Sequence, residues 1–115
     1  QRLALRNRNV LADAGSSTGR TLYSEALSGG AQALGRKSGR IEAGYWADLV
    51  ALDTDHPVLS GKSGDALLDS WIFSGGKDCV SDVWAAGRHV VKQGRHVRRH
   101  TIGDAYRDVV SRLLA

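Results

Sequence analysis

The 115-residue sequence contains no Met and only one Cys, one Pro and one Phe. Each scarcity excludes something. A lone Cys79 cannot close an internal disulfide, which excludes a disulfide-stapled scaffold and suits a reducing, cytoplasmic setting. No stretch reaches the roughly 20 apolar residues that a membrane span requires. Gln1-Arg2-Leu3 is followed too soon by polar residues to read as a signal peptide. The lack of Met, position 1 included, sets the expectation that the chain is an excised piece of a longer polypeptide, with further machinery upstream. Repeats and low-complexity tracts are also missing.

What is present is ordinary for a globular domain: 42% hydrophobic and 24% charged residues. The formal charge is +4. Its excess falls in three separate clusters, at Arg2/Arg6/Arg8, at Arg36/Lys37/Arg40 and between Arg88 and Arg99. With little aromatic interleaving, these read as solvated surface rather than a nucleic-acid track.

The stretch Gly39–Asp53 organises the chain. Ala47–Leu52 is an almost unbroken apolar run, expected to be a strand covered on both faces. Gly39 and Gly44 are expected to turn Ile41 back beside it as a second strand. Upstream, Gln1–Ala12 reads as a helix and Asp13–Gly19 as a loop. Thr21–Leu34 reads as a helix with Leu27, Ala31 and Leu34 on one face and Gly35 as its left-handed cap. Gly29 and Gly30 weaken that helix by about 1 kcal/mol each relative to Ala, and make sense where another backbone comes close. Downstream, a helix is expected over 64–74 with Leu67, Leu68, Trp71 and Ile72 inward. A meander follows from Val80 to Val97, with turns at Ala86-Gly87 and Gln93-Gly94. A final amphipathic helix spans 102–114, with Thr101 and Asp104 placed as a capping box.

No catalytic constellation emerges. Gly61-Lys62-Ser63 has the tail of a phosphate loop, but His56 stands where its first Gly is required. His96 and His100 have metal-ligand spacing, yet Arg98 and Arg99 lie between them and favour a solvated basic turn. There is no His-x-His, His-Glu-x-x-His, Cys-x-x-Cys or Gly-x-Ser-x-Gly. Asp65, Asp69, Asp78 and Asp82 are explained as caps and turns. Cys79 has no His near it in sequence, and reads as a structural thiol. The catalytic, cofactor-binding and metal assignments within the chain are therefore none.

Three stretches nevertheless carry a likeness: Ala33-Leu34-Gly35-Arg36, Gly39-Arg40-Ile41-Glu42-Ala43-Gly44, and Ala47-Asp48-Leu49-Val50-Ala51-Leu52-Asp53. Together with Val83-Trp84-Ala85-Ala86-Gly87-Arg88-His89-Val90-Val91 and Gly94-Arg95, they resemble the C-terminal signature of the amidohydrolase superfamily. Arg6-Asn7-Arg8-Asn9-Val10-Leu11, Asp55-His56-Pro57, Asp65-Ala66-Leu67-Leu68-Asp69 and Gly94-Arg95-His96 are similar to its subfamily of deiminases acting on N-formimidoyl-L-glutamate in histidine degradation. The resemblance implies an α+β segment: residues 1–38 as the last helices of a (β/α)8 barrel, and 39–115 as the C-terminal part of a composite β-sandwich with packed helices.

It also implies a zinc-dependent, ammonia-releasing hydrolase whose metal ligands all precede Gln1, so that the segment is structural and inactive alone. The implied partners are the rest of the longer chain, a small-molecule substrate and further copies in a homo-oligomer, with neither nucleic acid nor membrane. Two alternatives stand beside this. One is the same superfamily acting on guanine, another amino-heterocycle or a cyclic amide. The other is a free-standing basic binding module.

Overall fold

A computed structural model describes residues 15–115; the helix expected at Gln1–Ala12 and the start of the loop after it lie outside the described residues. Among the described residues, three α-helices and four strands follow one another: α1 (Thr18–Leu34), β1 (Leu49–Leu52), α2 (Gly64–Ser74), β2 (Val80–Ala85), β3 (Arg88–Lys92), β4 (Arg95–His96) and α3 (Arg99–Leu114). A 3-10 turn over Lys77–Cys79 leads into β2.

Helix α1 begins three residues earlier than its apolar periodicity indicates, because its N-terminus is capped from two directions. Ser17 Oγ accepts the Arg20 N–H at 2.9 Å. Asp69, from the middle of α2, accepts both the Ser17 hydroxyl at 2.8 Å and the Gly19 N–H at 2.7 Å. A carboxylate over otherwise unpaired N–H groups is favoured by charge and by hydrogen bonding alike. Gly19 is the buried residue of α1, and a Cβ there would lie 2.5 Å from Asp69 Oδ1. Tyr23 and Trp71 meet edge to face with ring centroids 5.6 Å apart, and Arg20 pairs with Asp65 at 2.6 Å. At the other end Gly35 adopts φ 60°, and the N–H groups of Gly35 and Arg36 return to Gln32 and Ala31 in a Schellman-type close.

The sheet is antiparallel throughout, in the order β1-β2-β3-β4. Register pairs Leu49 with Trp84, Val83 with Val91, and Val91 with His96. Both expected turns are present. Ala86 and Gly87 have φ 51° and 77°, and Gln93 and Gly94 have 47° and 70°. Two successive positive φ values match the right-handed twist of the strands they join.

Three expectations are corrected. Ile41 does not pair beside β1: positive φ at Gly39 and Gly44 folds residues 39–46 into turns, and Ile41 is 91% exposed. The strand itself is shorter than Ala47–Leu52, and it is not covered on both faces. Among the described residues it is an edge strand with Val50 48% exposed, since only β2 flanks it there. Helix α3 starts at Arg99 behind Arg98, which makes no side-chain cap. No Thr101 box forms; Asp104 pairs with Arg107 instead.

Among the described residues only Leu59 and Cys79 form a fully buried apolar core. Helix α3 makes no extensive contact with another element among the described residues, and its Ile102, Tyr106, Val109, Leu113 and Leu114 are exposed. Such large side chains in water forgo about 1.5–3 kcal/mol each that burial would supply. The architecture therefore presents surfaces made to be covered.

Candidate functional site

Three places gather chemistry-bearing side chains. The first is an open groove of about 740 Å³ between α1 and the following loop, lined by Leu27, Gln32, Arg36, Lys37, Arg40 and Tyr45. Gly39 makes its narrow wall possible: at φ 80° its absent Cβ would meet the Leu27 carbonyl oxygen at 2.9 Å. The Arg36 guanidinium lies 4.4 Å over the Trp46 ring, and the Trp46 N–H bonds the Lys37 carbonyl at 2.8 Å.

The second is on the sheet. Alternation puts Asp82 and Trp84 on one face of β2, and register sets His89 opposite Trp84. The imidazole stacks on the indole at 4.4 Å, and its Nε2 is 2.7 Å from Asp82 Oδ1. The His89 hydrogen bond, then that of Ser81, holds the Asp82 carboxyl below the usual carboxylate range. Stacking and the ion pair hold His89, Trp84 and Asp82 to one another, which marks a structural brace.

The third joins segments far apart in sequence. The turn after β1 carries His56, and the 3-10 turn carries Asp78 and Cys79. The Asp53 N–H to Cys79 carbonyl bond of 2.9 Å ties the two turns together. His56 Nδ1 lies 3.5 Å from the buried Cys79 Sγ, and Nε2 lies 3.3 Å from Asp78 Oδ2. The Val58 N–H also donates to Nδ1 at 3.3 Å, and Nε2 is the ring nitrogen that faces the Asp78 carboxylate.

This corrects the reading of Cys79 as a thiol without a histidine. The residues are 23 apart, and no spacing rule links a His after one strand to a Cys before the next. The carboxylates do sit at caps and turns, Asp65 in the first turn of α2 and Asp78 in the 3-10 turn, but their partners lie beyond their own element. Asp69 caps another helix, Asp65 binds Arg20, Asp78 faces His56 and Asp82 braces His89. Among the described residues, His96 and His100 join no metal-ligand grouping, and His96 Nδ1 accepts the Arg98 N–H at 3.1 Å. Trp71 packs on Tyr23 as expected of an inward aromatic.

Comparison with known proteins gives this arrangement a context. The amidohydrolase family model matches residues 14–90. Formimidoylglutamate deiminase of Pseudomonas aeruginosa is 48% identical over 115 residues, covering 99% of this chain and 25% of that protein. 5-Methylthioadenosine/S-adenosylhomocysteine deaminase 1 of Archaeoglobus fulgidus is 33% identical over 73 residues, 64% of this chain and 17% of its own length. Among solved structures, an amidohydrolase from Brucella melitensis superposes with TM-score 0.81 at 42% identity, covering all of this chain and 25% of that one. An adenosine deaminase from Xanthomonas campestris with bound zinc gives TM-score 0.71 at 26% identity, over 96% of this chain and 25% of that one. The chain thus spans about a quarter of the length of the deiminase and of both structures.

Proposed function

We propose, from the premise that this chain belongs to the amidohydrolase family, that it is the C-terminal segment of a formimidoylglutamate deiminase, a hydrolase that releases ammonia from a small formimidoyl amino acid. The single observation carrying this reading is 48% identity across essentially the whole chain. Residues 1–38 would be the last helices of a barrel and residues 39–115 the C-terminal portion of its composite sandwich. The longer enzyme would work in the cytoplasm as a homo-oligomer, with no nucleic-acid or membrane partner. Among the described residues, no helix is long and apolar enough to cross a membrane.

The segment's own role is structural: to complete a sheet and cover the end of a barrel. The exposed apolar faces of α1 and α3 support this, with Leu34 67% and Leu113 79% exposed. A metal in the longer enzyme would be zinc, as bound in the adenosine deaminase neighbour. Bound zinc would activate a water molecule for attack on the C–N carbon. The sequence holds no His-x-His pair, so the residues here do not fit the family's ligand set, and no catalytic step is assigned to any of them.

A second reading keeps the family and changes the substrate to an amino-heterocycle such as guanine. The 33% and 26% identities to two deaminases of that kind favour it to a lesser degree. The test is ammonia release from N-formimidoyl-L-glutamate and from guanine, by the zinc-loaded longer polypeptide and by the 115-residue chain. Release from formimidoylglutamate by the longer form alone is expected. Release from guanine alone would replace the substrate, and turnover by the 115-residue chain would refute the structural role.

A further inference from the structure

We propose that Cys79, His56 and Asp78 form a binding site for a zinc-like divalent cation. The three side chains each offer a donor atom, and these donors all lie within 4.8 Å of one another. They combine a thiolate, an imidazole and a carboxylate, a set that borderline-soft ions such as zinc accept and that magnesium or calcium do not seek.

The geometry carries the proposal further than composition. With Zn–S near 2.3 Å and Zn–N near 2.0 Å, a tetrahedral angle separates the two donors by about 3.5 Å. Cys79 Sγ and His56 Nδ1 stand 3.5 Å apart. This pair is held by backbone, through the Asp53–Cys79 bond on one side and the His56 N–H to Asp53 carbonyl bond of 3.2 Å on the other. The third donor, Asp78, faces Nε2 at 3.3 Å; its side chain is 69% exposed, and it would turn from that pairing to reach an ion held at Nδ1 and Sγ. The fourth position would take water.

Space beside the thiol is kept by Gly75, where a Cβ would sit 3.1 Å from Sγ. The ion replaces two weak interactions at Nδ1: the thiol contact and the Val58 N–H bond of 3.3 Å. On binding, the thiol proton leaves to solvent as the thiolate coordinates, so affinity rises with pH.

The experiment uses cobalt(II) as a spectroscopic stand-in, added to the metal-stripped longer polypeptide that contains this chain. A barrel site of His and Asp ligands supplies no thiolate, whereas the site proposed here gives a thiolate-to-cobalt charge-transfer band. The expected result is one equivalent of cobalt developing that band, loss of the band in Cys79→Ser, and at least about tenfold weaker binding at this site in Asp78→Asn. Because Cys79 is buried, its substitution can disturb folding. Asp78→Asn alters an exposed side chain and is checked by unchanged circular dichroism and melting. No thiolate band in the wild-type protein overturns the site. So does a band whose affinity is the same in well-folded Asp78→Asn.

Discussion

Gly19, Gly29 and Gly30 all lie in α1, yet the structure assigns their replacement by Ala opposite signs. Ala is intrinsically better than Gly inside a helix by about 1 kcal/mol. Nothing lies within 4 Å of a Cβ built at Gly29 or Gly30, so each substitution should collect that gain in full. At Gly19 the new Cβ would stand 2.5 Å from Asp69 Oδ1 and 3.0 Å from Asp69 Cα. The second is a backbone atom, so α1 and α2 must move apart. Overpacking of this kind costs about 1–3 kcal/mol. Moving the helices also strains the 2.7 Å bond from the Gly19 N–H to the carboxylate, and a bond to a charged group contributes about 1.5–3 kcal/mol. With most of that bond retained and the propensity gain subtracted, Gly19→Ala should be destabilising by about 2 kcal/mol.

Thermal unfolding of the 115-residue chain checks this. At about 4–8 °C per kcal/mol, Gly29→Ala should raise Tm by about 4–8 °C and Gly19→Ala should lower it by about 8–16 °C. A Gly19 variant as stable as the Gly29 variant would refute the packing argument. Repeating Gly29→Ala in the longer polypeptide adds a second arm. If that face meets another backbone there, the gain disappears or reverses.

Asp82→Asn should flatten the acid limb of stability. A carboxyl lowered in the folded state stabilises above its unfolded pKa of about 3.9, and loses that contribution as pH falls toward its folded value. The difference between wild type and variant in urea midpoints should therefore shrink on acidification below about pH 4, and a pH-independent difference would contradict it. Ala86→Asn should stabilise by a few tenths to about 1 kcal/mol, because Asn tolerates the positive φ of 51° that Ala resists; chemical denaturation reads the sign. The 115-residue chain should bind an apolar dye and self-associate through surfaces such as α3. Attaching the upstream polypeptide should suppress both, and a dye-inert monomer would count against covered faces.

Much of the fold was legible because it is written in short-range chemistry. The two Gly-containing turns of the meander, the Gly35 cap and the apolar face of α2 each depend on residues within a few positions of one another. What was missed depends on distance. Thr18 starts α1 because Asp69, 50 residues beyond Gly19, caps it. His56 reaches Cys79 only because β1 and β2 pair. Ile41 was misjudged for the reverse reason: an apolar residue between two glycines resembles a strand when its partner surface is assumed.

Strand β1 has one further consequence. Leu49–Leu52 pairs with β2 on one side, and no strand among the described residues pairs with the other. Its outward row of peptide groups belongs to a short apolar run without Pro, with charge only at its ends in Asp48 and Asp53, so the middle of the row stays open to a foreign strand. Produced in isolation, the polypeptide carries its own template for ordered aggregation. Solubility during expression would then depend on how quickly that border is occupied, and a single Lys in place of the half-exposed Val50 would act as a gatekeeper.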